Sequence, residues 1–206
     1  VSVLRLWKAR SVQNFDMKLF SQGDYSAVMK EDNEAELISK VLYPADNHVE
    51  GKSLRLKQQY FFVSAGLSSL VRSHMRVYNT MDNFAEKNAI QLNDTHPVLA
   101  IPEFLRILMD EFQYEWDDAW RICKATFAYT NHTVLSEALE KWPVHYIQTL
   151  LPRIYMIIEE INRRFLQYLH NNYVSLSESM NMAIIKDGLV HMANLAIAGS
   201  YSVNGV

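Results

Sequence analysis

Gln91-Leu92-Asn93-Asp94-Thr95-His96-Pro97 is the stretch that decides how this chain is read. It begins apolar, as Ala89-Ile90-Gln91-Leu92, and breaks abruptly into amide, carboxylate, hydroxyl and imidazole. A second stretch behaves alike: Ala125-Thr126-Phe127-Ala128-Tyr129 gives way to Thr130-Asn131-His132-Thr133. Short apolar runs of this kind read as buried strands. A helical pattern follows each of them. In an open parallel sheet the ligand crevice lies outside the carboxyl ends of the strands. Two polar clusters at two such ends therefore point to one shared pocket.

Working outward, helices and strands alternate. Residues 1–7 read as a strand, and 24–41 carry helical periodicity, with a break at Asp32-Asn33. Tyr43-Pro44 stops that helix, because the residue before a proline is pushed out of the helical region. A loop over 44–52 leads to a long helix over 53–76, on the spacing of Leu56, Tyr60, Val63, Leu67, Leu70 and Val71. Segment 73–88 reads as a polar, irregular connection. A helix starts near Pro102, a proline being tolerated in a first turn, and another lies near 118–123 with Asp117 as a candidate cap. Pro143 and Pro152 each open a helix, the second running to about His170. Residues 182–185 and 190–197 read as strands about a Lys186-Asp187-Gly188 turn. The alternation predicts an α/β fold with a mainly parallel sheet and flanking helices.

Bulk properties narrow the field. The chain has 206 residues, 49% hydrophobic and 21% charged, enough for one large domain or two small ones. A formal net charge of −3 offers no general attraction to nucleic acid or to an anionic membrane. The cations between Lys52 and Lys57 read as a solvated face. A lone cysteine, Cys123, rules out an internal disulfide, reads as a small buried hydrophobe, and suits a reducing compartment. No apolar run approaches the ~20 residues of a bilayer span. Both ends read as cut, which predicts a fragment.

Taken alone, the polar residues leave alternatives open. His132 fits a loop-fixing histidine as well as a ligand contact; its neutral ring offers one donor and one acceptor. Asp94 or Thr95 can cap the turn that follows. Asp94 and His96, two apart with no Cys/His cluster nearby, do not have metal-ligand spacing, so no metal is expected. Asp46 and Asn47 are turn-forming residues after Tyr43-Pro44. Glu137 and Glu140 read as helix-surface charge, with no apolar pocket to raise a pKa as a glycosidase pair requires.

QLNDTHP at 91–97 and AYTNHT at 128–133 resemble motifs of the α-glucan phosphorylases. So do YPADNHVEGKSLRLKQQYF at 43–61, EALEKWPVHYIQTLLPR at 137–153 and HMANLAIAGSYSVNGV at 191–206. The resemblance covers nearly the whole chain, in the family's order. It implies part of a Rossmann-like domain in a two-domain B-type glycosyltransferase fold. Residues 1–206 would then be a single incomplete domain of the N-terminal catalytic half, with the cofactor-bearing C-terminal domain absent.

The resemblance also implies chemistry. Such enzymes transfer a glucosyl unit from the non-reducing end of an α-1,4-glucan to phosphate, giving glucose 1-phosphate with retention. They use pyridoxal phosphate on a lysine of the second domain, whose motif is not found here; the family's phosphate-holding basic residues and glycine-rich loop are also missing. No residue of this chain is expected to be catalytic by itself or to hold the cofactor. The matching positions make His132 the contact to the 6-hydroxyl of the glucosyl unit, with Asp94, His96 and Thr133 lining the same wall. Asn47 contacts the sugar from a gating loop that also carries Asp46. A homodimer in the cytoplasm is implied, and a catalytically dead glucan-binding module is the rival reading. Departures include His48 where some relatives carry an aromatic residue, Ile154 after Leu-Pro-Arg, Asn194, Tyr201, and a short segment after Tyr173. They lean towards a bacterial-type, weakly regulated enzyme.

Overall fold

The computed structural model describes residues 3–12, 14, 16–172 and 175–206, with Ser136 described in its backbone alone. The segment after Tyr173 begins outside the described residues, as do the first two positions of the strand expected at 1–7. The chain divides into two compact units, Val1–Gly66 and Leu67–Val206.

The first unit is helical. Helix α1 (Met17–Ser21) starts on Asp16, whose carboxylate accepts from the Lys18 and Leu19 amides. Helix α2 (Tyr25–Lys40) starts on Asp24, which accepts from Ala27 N. It does not break at Asp32-Asn33. Both residues are exposed, where such side chains cost an interior helix position only a fraction of a kcal/mol. Residues 3–7 form no strand; a strand needs a ladder, and here the Ala9 amide bonds the Ser39 hydroxyl instead. Helix α3 (Val49–Tyr78) begins four residues before the expected start and crosses the unit boundary.

In the second unit, α4 (Phe84–Lys87) replaces the irregular connection expected over 73–88. Met81 and Phe84 are fully buried there, and the buried His74 ring bonds Thr80 O, Asn83 Oδ1 and Asn88 Nδ2. Strand β1 (Ile90–Asn93) leads through a turn into α5 (Ala100–Arg106), which continues as a π-helical turn over Ile107–Glu111. Helix α6 (Trp116–Thr126) begins after Glu115, not Asp117, and no side chain caps it. It extends two residues into the predicted strand, and the Thr126 hydroxyl bonds back to Ile122 O. Strand β2 is therefore Phe127–Asn131.

Strand β3 (Lys141–Pro143), α7 (Val144–Leu150), α8 (Pro152–Asn171) and α9 (Leu176–Met182) follow. Strands β4 (Ile185–Lys186) and β5 (Leu189–His191) flank the expected turn, where Asp187 and Gly188 take positive φ. The second predicted strand ends at His191, because Met192–Gly199 is helix α10. That run is buried nearly all round, and periodicity cannot separate a buried strand from a buried helix. Strand β6 (Ser202–Gly205) completes the set.

The α/β class holds, and the sheet is divided. One sheet is parallel, in the order β1-β2-β6; the other is a small antiparallel sheet, β3-β5-β4. Leu92, Phe127 and Tyr129 bury one face of the parallel sheet, and Phe127 meets the Phe104 ring of α5 edge-on at 5.9 Å. Cys123 packs as expected, fully buried, with burial pushing its thiol pKa well up.

Candidate site at the strand ends

Parallel pairing aligns the carboxyl ends of β1 and β2. Asn93 stands opposite Thr130, and Asn131 opposite Gly205 of β6. Period-2 alternation then sorts the side chains. Leu92 and Tyr129 go to the core, while Gln91, Asn93, Thr130 and Asn204 share the other face. They form a lateral row: Gln91 Nε2 donates to Thr130 Oγ1 at 2.7 Å, and Thr130 Oγ1 donates to Asn204 Oδ1 at 2.8 Å.

Just past β1 the chain turns on Asp94, which sits at φ 71°. Asp and Asn tolerate this left-handed region because a short polar side chain can bond locally. Asp94 Oδ1 accepts from Thr95 N at 2.6 Å and from the Thr95 hydroxyl at 3.2 Å. Thr95 is buried, so the turn-forming role considered for Asp94 is real. The carboxylate still acts beyond the turn. Burial chiefly, and the Asp94 charge second, raise the Tyr129 phenol above its ordinary value. His96 follows, half-buried.

Past β2 the chain delivers His132 and Thr133. The Asp94 amide bonds Thr130 O at 2.9 Å, which ties the two ends together. The His132 ring bonds Asn93 through Nε2 and Oδ1, with the ring exposed. Asn131 holds the turn beyond: its Nδ2 donates to Thr133 O at 2.7 Å and its Oδ1 accepts from Thr133 N at 3.3 Å. Four of the six predicted residues, Asp94, His96, His132 and Thr133, thus come from two adjacent strand ends.

Asp46 and Asn47 belong to the other unit. Both are exposed on the loop before α3. Asp46 Oδ2 accepts from Arg55 Nη1 at 2.6 Å, and His48 Nδ1 accepts the Gly51 amide at 3.0 Å. A Cβ on Gly51 would lie 1.7 Å from the Ala45 carbonyl oxygen, so this close approach requires glycine. Arg55 is one of the cations first read as a solvated face; it works instead to pin the loop.

Other candidates resolve blandly. Glu137 lies in a short 3-10 turn (Ser136–Ala138) and Glu140 beyond it, so they do not share a helix face. Among the described residues no three His, Cys, Asp or Glu stand together as a metal site. Likewise, no helix is long and apolar enough to cross a membrane. A groove of about 440 Å³ lies elsewhere in the second unit, lined by Trp116, Trp120, Lys124, Arg164, Phe165 and Tyr168 among others. None of the six predicted residues borders it. Residue-level reading missed Asn93, Thr130 and Asn204. The alternation Gln91–Leu92–Asn93 signals the polar face, but only register brings Thr130 and Asn204 beside it.

A sequence profile described as carbohydrate phosphorylase matches residues 1–206. A glycogen phosphorylase of Bacillus subtilis is 48% identical over 207 residues, covering 100% of this chain and 25% of that protein. The muscle form from Ovis aries is 49% identical over 218 residues, covering 100% of the chain and 26% of its own length. A Synechocystis glycogen phosphorylase is 45% identical across 98% of the chain. The chain spans about a quarter of the length of these relatives.

Proposed function

This chain belongs to the carbohydrate phosphorylase family, and from that premise we propose that it forms one wall of a glucosyl subsite. The whole protein would carry the two-domain B-type glycosyltransferase fold and act, as a cytoplasmic homodimer, on an α-1,4-glucan. It would transfer the terminal glucosyl unit to phosphate, releasing glucose 1-phosphate. The observation that carries this is the row of amide, hydroxyl and imidazole groups at the aligned ends of β1 and β2. A sugar presents hydroxyls, each both donor and acceptor, and a site for it needs amides, imidazole and hydroxyls fixed on rigid elements.

In this reading His132 bonds the 6-hydroxyl and Asp94, His96 and Thr133 line the same wall; for Asn47, on the loop of the other unit that Asp46 and Arg55 hold, a sugar contact is what the family motif implies. The family's pyridoxal phosphate has no fit here. A Schiff-base lysine needs an enclosed pocket that lowers its pKa, and every lysine of this chain is at least partly exposed. The chain alone is expected to be inactive.

The test uses the whole protein. His132→Ala should cost about 1–3 kcal/mol of transition-state stabilisation, roughly ten- to a hundred-fold in kcat/KM. A glucan end lacking the 6-hydroxyl should erase most of that difference, since the partner is then absent in both proteins. Equal losses for both proteins with that analogue would make His132 a loop-fixing residue. Failure of the whole protein to release glucose 1-phosphate from glycogen and phosphate would favour the glucan-binding module instead.

A further inference from the structure

We propose that Asn93 is a positioning residue that sets the tautomer of His132, and so decides that the site demands a hydrogen-bond donor from its ligand. The ligand half of this statement rests on the glucosyl-subsite reading above; the tautomer half does not. Asn93 is the last residue of β1 and His132 the first after β2. Their contact runs from Nε2 of the ring to Oδ1 of the amide. An amide oxygen can only accept, so Nε2 carries the proton. A neutral imidazole has one proton, so Nδ1 is left as a bare acceptor.

The backbone fixes where the two side chains meet. Asn93 pairs with Thr130 in register, and the Asp94 amide is fixed to Thr130 O at 2.9 Å. The two strand ends therefore cannot slide, and the amide is presented to the ring from a rigid strand. On the other side, both polar atoms of Asn131 are engaged with Thr133, which shapes the turn beyond the ring. Neither carboxylate nor cation touches the imidazole in this contact; a neutral amide supplies the orientation. The outcome is a polarity rule for the ligand. A group facing Nδ1 must bring its own hydrogen: a hydroxyl or an amine satisfies it, and a fluorine or an ether oxygen does not.

Two measurements test this. In the first, long-range 15N–1H NMR of the histidine-labelled whole protein, taken where the ring is neutral, reads the tautomer directly. Wild type and Asn93→Asp, which keeps an acceptor, should show a protonated Nε2 and a bare Nδ1. Asn93→Leu, which has none, should show a mixture. A protonated Nδ1 in wild type overturns the proposal; so does a single Nε2–H form in Asn93→Leu, because the amide then sets nothing. Asn93 is exposed, so these changes leave the core untouched.

The second measurement uses the whole enzyme with glucan ends bearing a 6-hydroxyl, a 6-fluoro group or a 6-deoxy group. Fluorine cannot donate, so the 6-fluoro end should fall with the 6-deoxy end, within about twofold in kcat/KM. Asn93→Leu should lose roughly three- to tenfold with the hydroxyl substrate, the scale of one neutral bond, and Asn93→Asp should recover most of it. A 6-fluoro end that reacts like the hydroxyl end overturns the donor rule. The same loss on His132→Ala with all three ends, with the NMR result intact, removes the glucosyl reading and leaves the tautomer assignment standing.

Discussion

The ends of β1 and β2 and the outer side of α8 are both rich in polar groups, yet they hold them in opposite ways. Along α8, Glu160 accepts from Arg163 and Arg164, each at 2.6 Å. Arg164 also reaches Asp117 at 2.6 Å and lies 5.0 Å from the centre of the Trp116 ring. Formal charges there satisfy one another. At the strand ends the groups are an imidazole, amides and hydroxyls, joined by hydrogen bonds between neutral partners, with one carboxylate folded into its own turn. A group already held by two full charges has little left for a ligand. A neutral group with one bond made and one position open can exchange water for a hydroxyl at small cost. The groove beside α8 is aromatic and concave, but its arginine is already engaged.

Four changes would break or sharpen this contrast. The largest acts below it. Phe127 is fully buried at the start of β2, and Phe127→Ala should cost about 3–5 kcal/mol in denaturant unfolding, whatever the state of either polar region. Next comes Arg164→Ala, which removes two ion pairs and the contact with Trp116. Its side chain is 41% exposed, so solvent screening holds the loss to about 0.5–1.5 kcal/mol, read as a shift in midpoint.

A pH scan should then separate the regions. Hydrogen bonds from Arg163 first, and then Arg164, hold the Glu160 carboxyl at a pKa of about 2, against an ordinary 4.5. A depressed carboxylate contributes stability above its unfolded pKa and loses it as pH falls through the folded value. Wild type should therefore lose stability from roughly pH 4.5 down to 2, by at most ~1 kcal/mol from this group. Glu160→Gln should lack that part of the slope, and an unchanged acid limb would deny α8 its charge-held character. The smallest effect belongs to His132→Ala. It should move folding stability by no more than about 0.5 kcal/mol, because the ring is exposed. A larger loss would mean that the strand ends are architecture after all.

The sequence made the strand ends legible for a physical reason. Ile90-Gln91-Leu92 and Phe127-Ala128-Tyr129 are short apolar runs that end in turn-forming polar residues, and both strands stand there. The long helices were legible from spacing, α8 most plainly. What failed was context. Met192–Gly199 is apolar but for Asn194, so its helix carries little period to read. Ser202–Gly205 is exposed along its length, with Val203 its one apolar side chain, and becomes a strand only because β2 offers it a ladder. Thr126 belongs to α6 because its hydroxyl finds Ile122 O, which no alternation reports. At the site, Asp94, His96, His132 and Thr133 were named through family motifs, whereas Asn93 needed the register that puts an amide beside a ring.

Strand β6 has a consequence for how the molecule is made. Its link to β2 joins residues 74 positions apart, as between Thr130 and Asn204. By contrast β4 and β5 are joined by a tight turn. Contacts so distant along the chain form late, since a long loop must close before they reward it. During synthesis the hairpin and the helices can assemble as they leave the ribosome, while β2 must wait with one edge unpaired until Gly205 has been added. Through that interval the histidine-bearing strand end exists without its outer neighbour. The strand end that carries the histidine is therefore completed through a contact distant along the chain.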